Sequence, residues 1–204
     1  MATHDFQRFL DTFFGTGAEA AKDGPDTGSL SRLQGYEQDE AERMLLERLG
    51  LEDSRAAQGL GILRSQRALP RILELIKSLE GKEKDLEGGT LVPLSLAWYR
   101  IAGDPRAIES IVKVLETGTI DVFRLEAIHA LRESGAPEAK DALMRAVEND
   151  EVPLVRHNAA KALLIMAGKI KDMRESPQVT IRLMIKAPNV REEAVRELKY
   201  MLAG

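Results

Sequence analysis

A unit of sequence recurs at a spacing of 32 residues in the second half of the chain, between positions 121 and 168. Phe123-Arg124 opens the first copy and Val155-Arg156 opens the second. The same small and apolar residues follow at matching distances: Ala127, Ala130 and Leu131 in the first copy, and Ala159, Ala162 and Leu163 in the second. A recurrence of this length is typical of stacked helical arrays, in which each unit covers the apolar side of its neighbour.

The corners between helices repeat at the same spacing. The segment GDPRA at 103–107 aligns with GAPEA at 135–139, which lies 32 residues later. Glycine favours the position just after a helix, and proline favours the first helical position, where its missing N–H is not needed. Each corner therefore predicts two antiparallel helices in close contact. The whole pattern predicts helices at about 105–116, 122–134, 137–149 and 153–167.

The first 36 residues lack this pattern. Residues 1–14 predict a short amphipathic helix, and the Gly-, Ser- and Asp-rich stretch at 15–36 is typical of a flexible linker before an array at 37–204. The apolar face of the first helix consists of Phe6, Phe9, Leu10 and Phe13.

An isolated helix of this length is marginal in water, so its apolar face needs a surface to dock on. We expect it to cap the first repeat. The alternatives are an arm that docks in a groove or on a second subunit, which gives a homodimer, and a membrane-surface anchor. Composition alone predicts that deletion of residues 1–35 leaves the array folded.

Composition excludes several classes of protein. The net charge is −4 and cysteine is absent, so disulfides and thiolate metal sites are excluded and no global basic stripe for duplex DNA exists. No apolar run approaches the roughly 20 residues of a membrane span, and the N-terminus lacks a secretion signal. We expect a bacterial-type cytoplasmic protein that binds neither nucleic acid nor a membrane.

The sequence contains no recognisable catalytic constellation. The three histidines are His4, His129 and His157, and no two of them share a helical spacing of three or four residues. HExxH, P-loop and GxGxxG motifs are absent from the sequence. We therefore predict no catalytic, cofactor-binding or metal-binding residues, and no cofactor.

The repeated unit resembles the HEAT-repeat family, including its PBS-lyase-type members. The resemblance rests on Val-Arg-x-x-Ala-Ala-x-Ala-Leu at 155–163 and on Phe-Arg-x-x-Ala-Ile-x-Ala-Leu at 123–131. It covers about residues 37–204. It implies an all-α fold, a right-handed α-α superhelix (solenoid) of about five HEAT-like helix pairs, in which the second helices line a concave groove.

The resemblance also implies a ladder of internal ion pairs between repeats. The spacing from Asp150 to Arg156 matches the Asp–Arg ladder of the family, and Arg124 takes the same position one repeat earlier. The resemblance predicts a structural role for these residues, with anion binding by Arg124 and Arg156 as the alternative. Thr119 stands where the ladder has Asp, so that rung is expected to be absent.

Departures from the repeat, and polar positions facing the groove, are the candidate contacts to a partner. Trp98 occupies the position of Ala130 and Ala162, so it either fills a packing gap or reaches the groove, where tryptophan is a frequent hot spot. The candidate partner-binding residues are Trp98, Glu126, His129, Glu133, Asn158 and Lys161.

These features favour a non-enzymatic protein–protein interaction scaffold or adaptor that binds a protein of unknown identity through the concave groove. A stoichiometric inhibitor or immunity-type protein is one concrete form of it. The main alternative that the resemblance offers is a HEAT-like bilin lyase subunit or other enzyme accessory. A DNA glycosylase-like nucleic-acid binder and a structural role through self-association complete the alternatives.

Overall fold

The computed structural model describes residues 2–15, 24–85 and 87–203. Within these ranges the regular structure consists of helices joined by turns, and no strand occurs. The predicted all-α array of paired helices is confirmed. The chain divides into unit 1, Met1–Glu80 with Pro93–Ala107, and unit 2, Gly81–Val92 with Ile108–Gly204.

Unit 1 contains five complete helices among the described residues, and part of a sixth helix that also contributes to unit 2. Their bounds are α1 His4–Phe13, α2 Thr27–Arg32, α3 Tyr36–Arg48, α4 Ser54–Ile62, α5 Leu69–Ser78 and α6 Gly88–Ala102.

The aromatic face of α1 is buried in unit 1, because α1 packs against α2 and α3. Phe9 and Phe13 are fully buried. A methyl group added at Gly59 would come within 2.9 Å of the Phe13 ring, so this glycine of α4 provides the space for that side chain. The helix is part of the core of unit 1, as a cap would be. A homodimer through this arm stays a prediction.

The stretch predicted as a linker contains the helix α2. Leu30 and Leu33 are buried in the core of unit 1, and Arg32 forms an ion pair with Asp5 of α1 at 2.6 Å. A linker over the whole of 15–36 therefore does not fit the structure, since α2 is a packed element. Residues 16–23 of the predicted linker lie outside the described residues.

Asp26 links α1 to α2. Its carboxylate accepts hydrogen bonds from the main chain and hydroxyl of Ser29, and its own main-chain N–H donates to Thr12 at 3.1 Å. The Ser29 bonds, with the nearby Arg8 guanidinium, lower the pKa of Asp26 from 3.8 to about 2. These bonds therefore favour the ionised carboxylate in the folded state.

We expect unit 1 to lose stability as the pH falls from about 4 to about 2. Since the pKa of Asp26 is depressed in the folded state, its contribution is present above the unfolded pKa and is lost as the carboxylate is protonated through the folded pKa. Asp26→Asn should flatten this part of the profile of urea midpoint against pH. Asp39→Asn, which removes an exposed carboxylate from α3, is the control, and equal profiles for the two variants would contradict the assignment.

Unit 2 contains the remaining helices that the structure describes, except that residues 105–107 at the start of the first of them belong to unit 1. Helix α8 packs against α9 and α10, and α10 also packs against α9, α11 and α12. The bounds are α7 Pro105–Thr117, α8 Asp121–Ser134, α9 Pro137–Asn149, α10 Pro153–Met166, α11 Gln178–Arg182 and α12 Pro188–Ala203.

The repeated residues are buried in α8 and α10, two helices that pack against each other. Ala127 and Ala159 are fully buried at equivalent positions, and their small side chains allow close approach of the two helices. Gly135 ends α8 with a φ of 63°, a conformation that glycine adopts without steric cost, and Pro137 begins α9 directly afterwards. The corner at 135–139 therefore folds as the sequence predicts.

The end of the array departs from the repeat. The connection after α10 runs from 167 to 177, where the equivalent corner between α8 and α9 has only two residues. Ile170 of this connection is buried, so the connection packs on the unit. Helix α11 is short, ends at Arg182 and is followed by a turn.

Candidate partner-binding surface

Three of the predicted contact residues share one side of α8. Glu126, His129 and Glu133 are separated by three and four residues, which places them on one helical face. Both glutamates are exposed and His129 is half-buried. The structure therefore brings these three residues together as one polar strip.

The surroundings of the strip alter the charge of two of its members. Partial burial raises the pKa of Glu126. Burial also lowers the pKa of His129, as does the positive charge of Arg132, while Glu133 acts in the opposite direction. The lowered pKa of His129 favours its neutral imidazole, so this side chain adds little positive charge beside the two glutamates.

Arg132 belongs to the same side of α8 and was not predicted. Its Nη2 donates to Glu133 Oε1 at 3.4 Å, and its Nε is buried with no hydrogen-bond partner in the described part of the chain. The sequence carried one signal for this residue, its position three residues after His129. An unsatisfied buried donor of this kind costs the folded unit free energy.

The predicted contacts on α10 lie in a different environment. Asn158 is half-buried, and its Nδ2 donates to the Leu154 carbonyl at 2.8 Å. Lys161 is only 5% exposed, and its Nζ lies 3.2 Å from Ser176 Oγ in the long connection after α10. The candidate role of Lys161 as a surface contact therefore does not fit the structure, because that connection covers it.

Trp98 lies in unit 1 and is 8% exposed, which favours the packing alternative over the groove alternative. The Arg106 guanidinium stacks over its ring at 5.6 Å. Asp104 holds that guanidinium by an ion pair at 2.5 Å. A partner could reach the indole only after displacement of Arg106.

The ladder residues are buried in unit 2 and connect successive turns. The Arg124 guanidinium bonds the Asp150 carboxylate and donates through Nε to the Leu115 carbonyl at 3.0 Å. Arg156 Nη1 donates to the carbonyls of Asp150 and Glu151 at 2.7 and 3.0 Å. Asp150 therefore pairs with the arginine of the preceding repeat, and its link to Arg156 is through the main chain.

Arg156 and Thr119 make two further hydrogen bonds within unit 2. Arg156 Nε donates to the Leu183 carbonyl at 2.9 Å, which extends the ladder to the turn after α11. Thr119 donates its hydroxyl to the Lys84 carbonyl at 2.8 Å, so this side chain is also engaged within unit 2. With their polar groups engaged inside the unit, Arg124 and Arg156 are poorly placed for binding an external anion.

Metal sites and membrane-spanning helices are two other features relevant to function. The described residues contain no group of three or more His, Cys, Asp or Glu side chains that could hold a metal ion. Among the described helices, none has both the length and the apolar character required to cross a bilayer.

Comparison with known proteins identifies helical repeats in both units. Residues 108–199 match the family model described as HEAT repeats, and residues 54–78 match the PBS lyase HEAT-like repeat. Together the two matches cover more than half of the chain. No curated protein and no solved structure matches the chain.

Proposed function

Because the chain belongs to the HEAT-repeat family, we propose that it is a non-enzymatic interaction scaffold or adaptor whose partner is a protein with a basic surface. The observation that carries this proposal is the polar strip of Glu126, His129 and Glu133 on one face of α8. Two exposed carboxylates on a rigid helix attract Lys and Arg side chains and set the orientation of a partner. A stoichiometric inhibitor or immunity-type protein is the narrower form of this proposal.

The rigidity of α8 supports this role. The buried Arg124–Asp150 pair fixes the first turn of the helix, and Ala127 and Leu131 are fully buried one turn further on. A preorganised surface loses little side-chain and backbone freedom on binding, which favours affinity. The strip therefore meets a partner without refolding of the unit.

The test is a charge reversal of the strip. We expect Glu126→Lys combined with Glu133→Lys to weaken binding of the natural partner by at least about tenfold, because both attractive charges become repulsive. Partners are recovered from extracts of the source cell with immobilised full-length chain, and the affinity of each purified partner is then measured by calorimetry. The binding should also weaken as salt concentration rises.

Glu138→Lys is the matched control, since Glu138 is an exposed glutamate on the neighbouring helix α9. The proposal predicts that this variant retains the partner. Two outcomes would contradict the proposed function. In one, the strip variant binds the same protein with the affinity of the natural chain. In the other, the natural chain recovers no protein above background.

The second candidate function is that of an accessory to a bilin lyase. It is favoured by the match of residues 54–78 to the PBS lyase HEAT-like repeat. Those residues form α4 and α5, whose Leu60 and Ile72 are fully buried in unit 1. A shift of the absorption spectrum of added phycocyanobilin would support this candidate, and an unchanged spectrum would remove it.

A further inference from the structure

Unit 2 exposes an apolar side chain at three places: at the start of α8, at the start of α10 and in the turn before α12. Val122 and Leu154 are the second residues of α8 and α10, lie 32 residues apart, and are 53% and 43% exposed. Ile185 lies in the turn before α12 and is 43% exposed, with the exposed Met184 beside it. We call Val122, Leu154 and Ile185 the turn edge. The position shared by Val122 and Leu154 shows that the repeat itself exposes apolar residues here.

The ladder holds the turn edge together. Arg124, two residues after Val122, bonds the Asp150 carboxylate in the turn before α10. Arg156, two residues after Leu154, bonds the Leu183 carbonyl in the turn before α12. The helices also contact one another in this order, α8 with α10 and α10 with α12. Since packed helices lie about 8–10 Å apart, the three side chains form a row about 16–20 Å long.

The two ends of the row carry opposite charges. Asp121 precedes Val122 and its side chain is 54% exposed, while Lys186 follows Ile185 and is exposed. Asp121 lies 3.7 Å from Arg124, a separation too long for a strong ion pair. An apolar row with an acid at one end and a base at the other is complementary to itself after a two-fold rotation.

We propose that the turn edge is a two-fold contact between two copies of this chain. In this arrangement Leu154 packs on Leu154 of the second copy at the axis, and Val122 packs on the second copy's Ile185. Asp121 then faces Lys186 of the second copy, and the reciprocal pair forms at the other end. The apolar row supplies the burial, and the two end pairs set the antiparallel orientation.

Other occupants fit the turn edge less well. A strongly acidic or strongly basic partner protein would match one end and be repelled by the other. An anionic membrane surface would be repelled by Asp121 and by the exposed Glu151 in the middle turn. In the two-fold arrangement the two Glu151 side chains come near each other at the axis, which weakens the contact without reversing it.

Sedimentation equilibrium of the full chain tests the proposal. The natural chain should show a monomer–dimer equilibrium, and Leu154→Asp should weaken dimerisation at least about tenfold, because it places two carboxylates at the axis. Leu73→Asp is the matched control, since Leu73 is an exposed leucine of similar exposure in unit 1, and it should leave the equilibrium unchanged. Circular dichroism confirms that each variant is folded.

A charge swap tests the antiparallel geometry. Asp121→Lys and Lys186→Asp should each weaken the dimer at least about fivefold, and the double variant should restore it, because each new lysine faces a new aspartate on the other copy. Glu151→Gln should tighten the dimer. Failure of the double variant to restore dimerisation overturns the two-fold geometry.

Two other outcomes overturn the proposal as a whole. One is a natural chain that stays monomeric up to about 100 µM, well above a micromolar dissociation constant. The other is a dimer that is indifferent to Leu154→Asp, which would place the contact elsewhere, for example at α1. These variants leave Glu126 and Glu133 intact, so loss of the dimer and loss of partner binding are separate results.

Discussion

Replacing Asp150 with alanine is expected to lower the free energy of unfolding by about 3–5 kcal/mol, because it leaves the buried Arg124 guanidinium without its carboxylate. The side chains of Arg124 and Asp150 are 11% and 7% exposed, so water cannot replace the lost partner. The same carboxylate accepts a hydrogen bond from the main-chain N–H of Val152 at 2.9 Å, which shapes the turn before α10. Urea denaturation followed by circular dichroism measures the change.

Three further variants separate the parts of this effect. Asp141→Ala removes an exposed carboxylate from α9, the helix that ends just before Asp150, and should change the free energy of unfolding by less than about 0.5 kcal/mol. Asp150→Asn keeps an acceptor for Val152 but removes the charge. Its loss of unfolding free energy should therefore lie between those of Asp141→Ala and Asp150→Ala. Combining Asp150→Ala with Arg124→Met should recover much of the loss, since the uncompensated charge is gone. A loss as small as that of Asp141→Ala would show that the ladder contributes little stability.

The ladder also determines what unit 2 presents to other molecules. Arg124 and Arg156 each lie two residues after an exposed apolar residue of the turn edge, and Arg124 lies in the first turn of the helix that carries the acidic strip. A weakened ladder would therefore disturb both surfaces at once. For this reason the variants that test the strip and the turn edge are placed at exposed positions and keep Arg124, Asp150 and Arg156. Asp121→Lys alone also changes the surroundings of the ladder, since Asp121 lies 3.7 Å from Arg124.

The helices of the repeat were predictable because their causes are local. Ala159 and Leu163 lie on one helical face, and the Gly135–Pro137 corner carries its own stop and start signals, so short stretches of sequence suffice. The partner of Asp150 was not predictable in this way. The spacing to Arg156 pointed to the next helix, whereas the side chain pairs with Arg124, 26 residues earlier in the chain.

The candidate surface was predictable only where it consists of one helix. Glu126, His129 and Glu133 share a face of α8 whatever the neighbours do. The burial of Lys161 depends on the connection at 167–177, which has no periodic pattern, and that of Trp98 depends on Arg106 across a corner. The exposure of Val122 and Leu154 was also missed, since apolar residues at the start of a helix are ordinarily assigned to the core.

The second large effect is expected in the aromatic cluster of α1. Phe9 is fully buried, and its ring lies 5.8, 5.1 and 5.4 Å from the rings of Phe6, Phe13 and Phe14. We expect Phe9→Ala to lower the free energy of unfolding of unit 1 by about 3–5 kcal/mol, because it removes apolar burial and leaves a cavity. Urea denaturation measures the change. Phe6→Ala, at a half-buried position, should lower the free energy of unfolding by less than Phe9→Ala does.

Deletion of residues 1–35 extends this prediction and opposes the expectation from composition. The deletion removes Phe9 and Phe13 of α1 and Leu30 and Leu33 of α2, all of them buried in unit 1. It would expose the side of α4 at Gly59 and the side of α3 that these helices cover, so unit 1 should melt earlier and less cooperatively while unit 2 keeps its own transition. Unchanged melting of the truncated chain would show that α1 and α2 are dispensable for the core. A broad early transition, matched by that of Phe9→Ala, would establish that the aromatic helix stabilises the first repeats by packing.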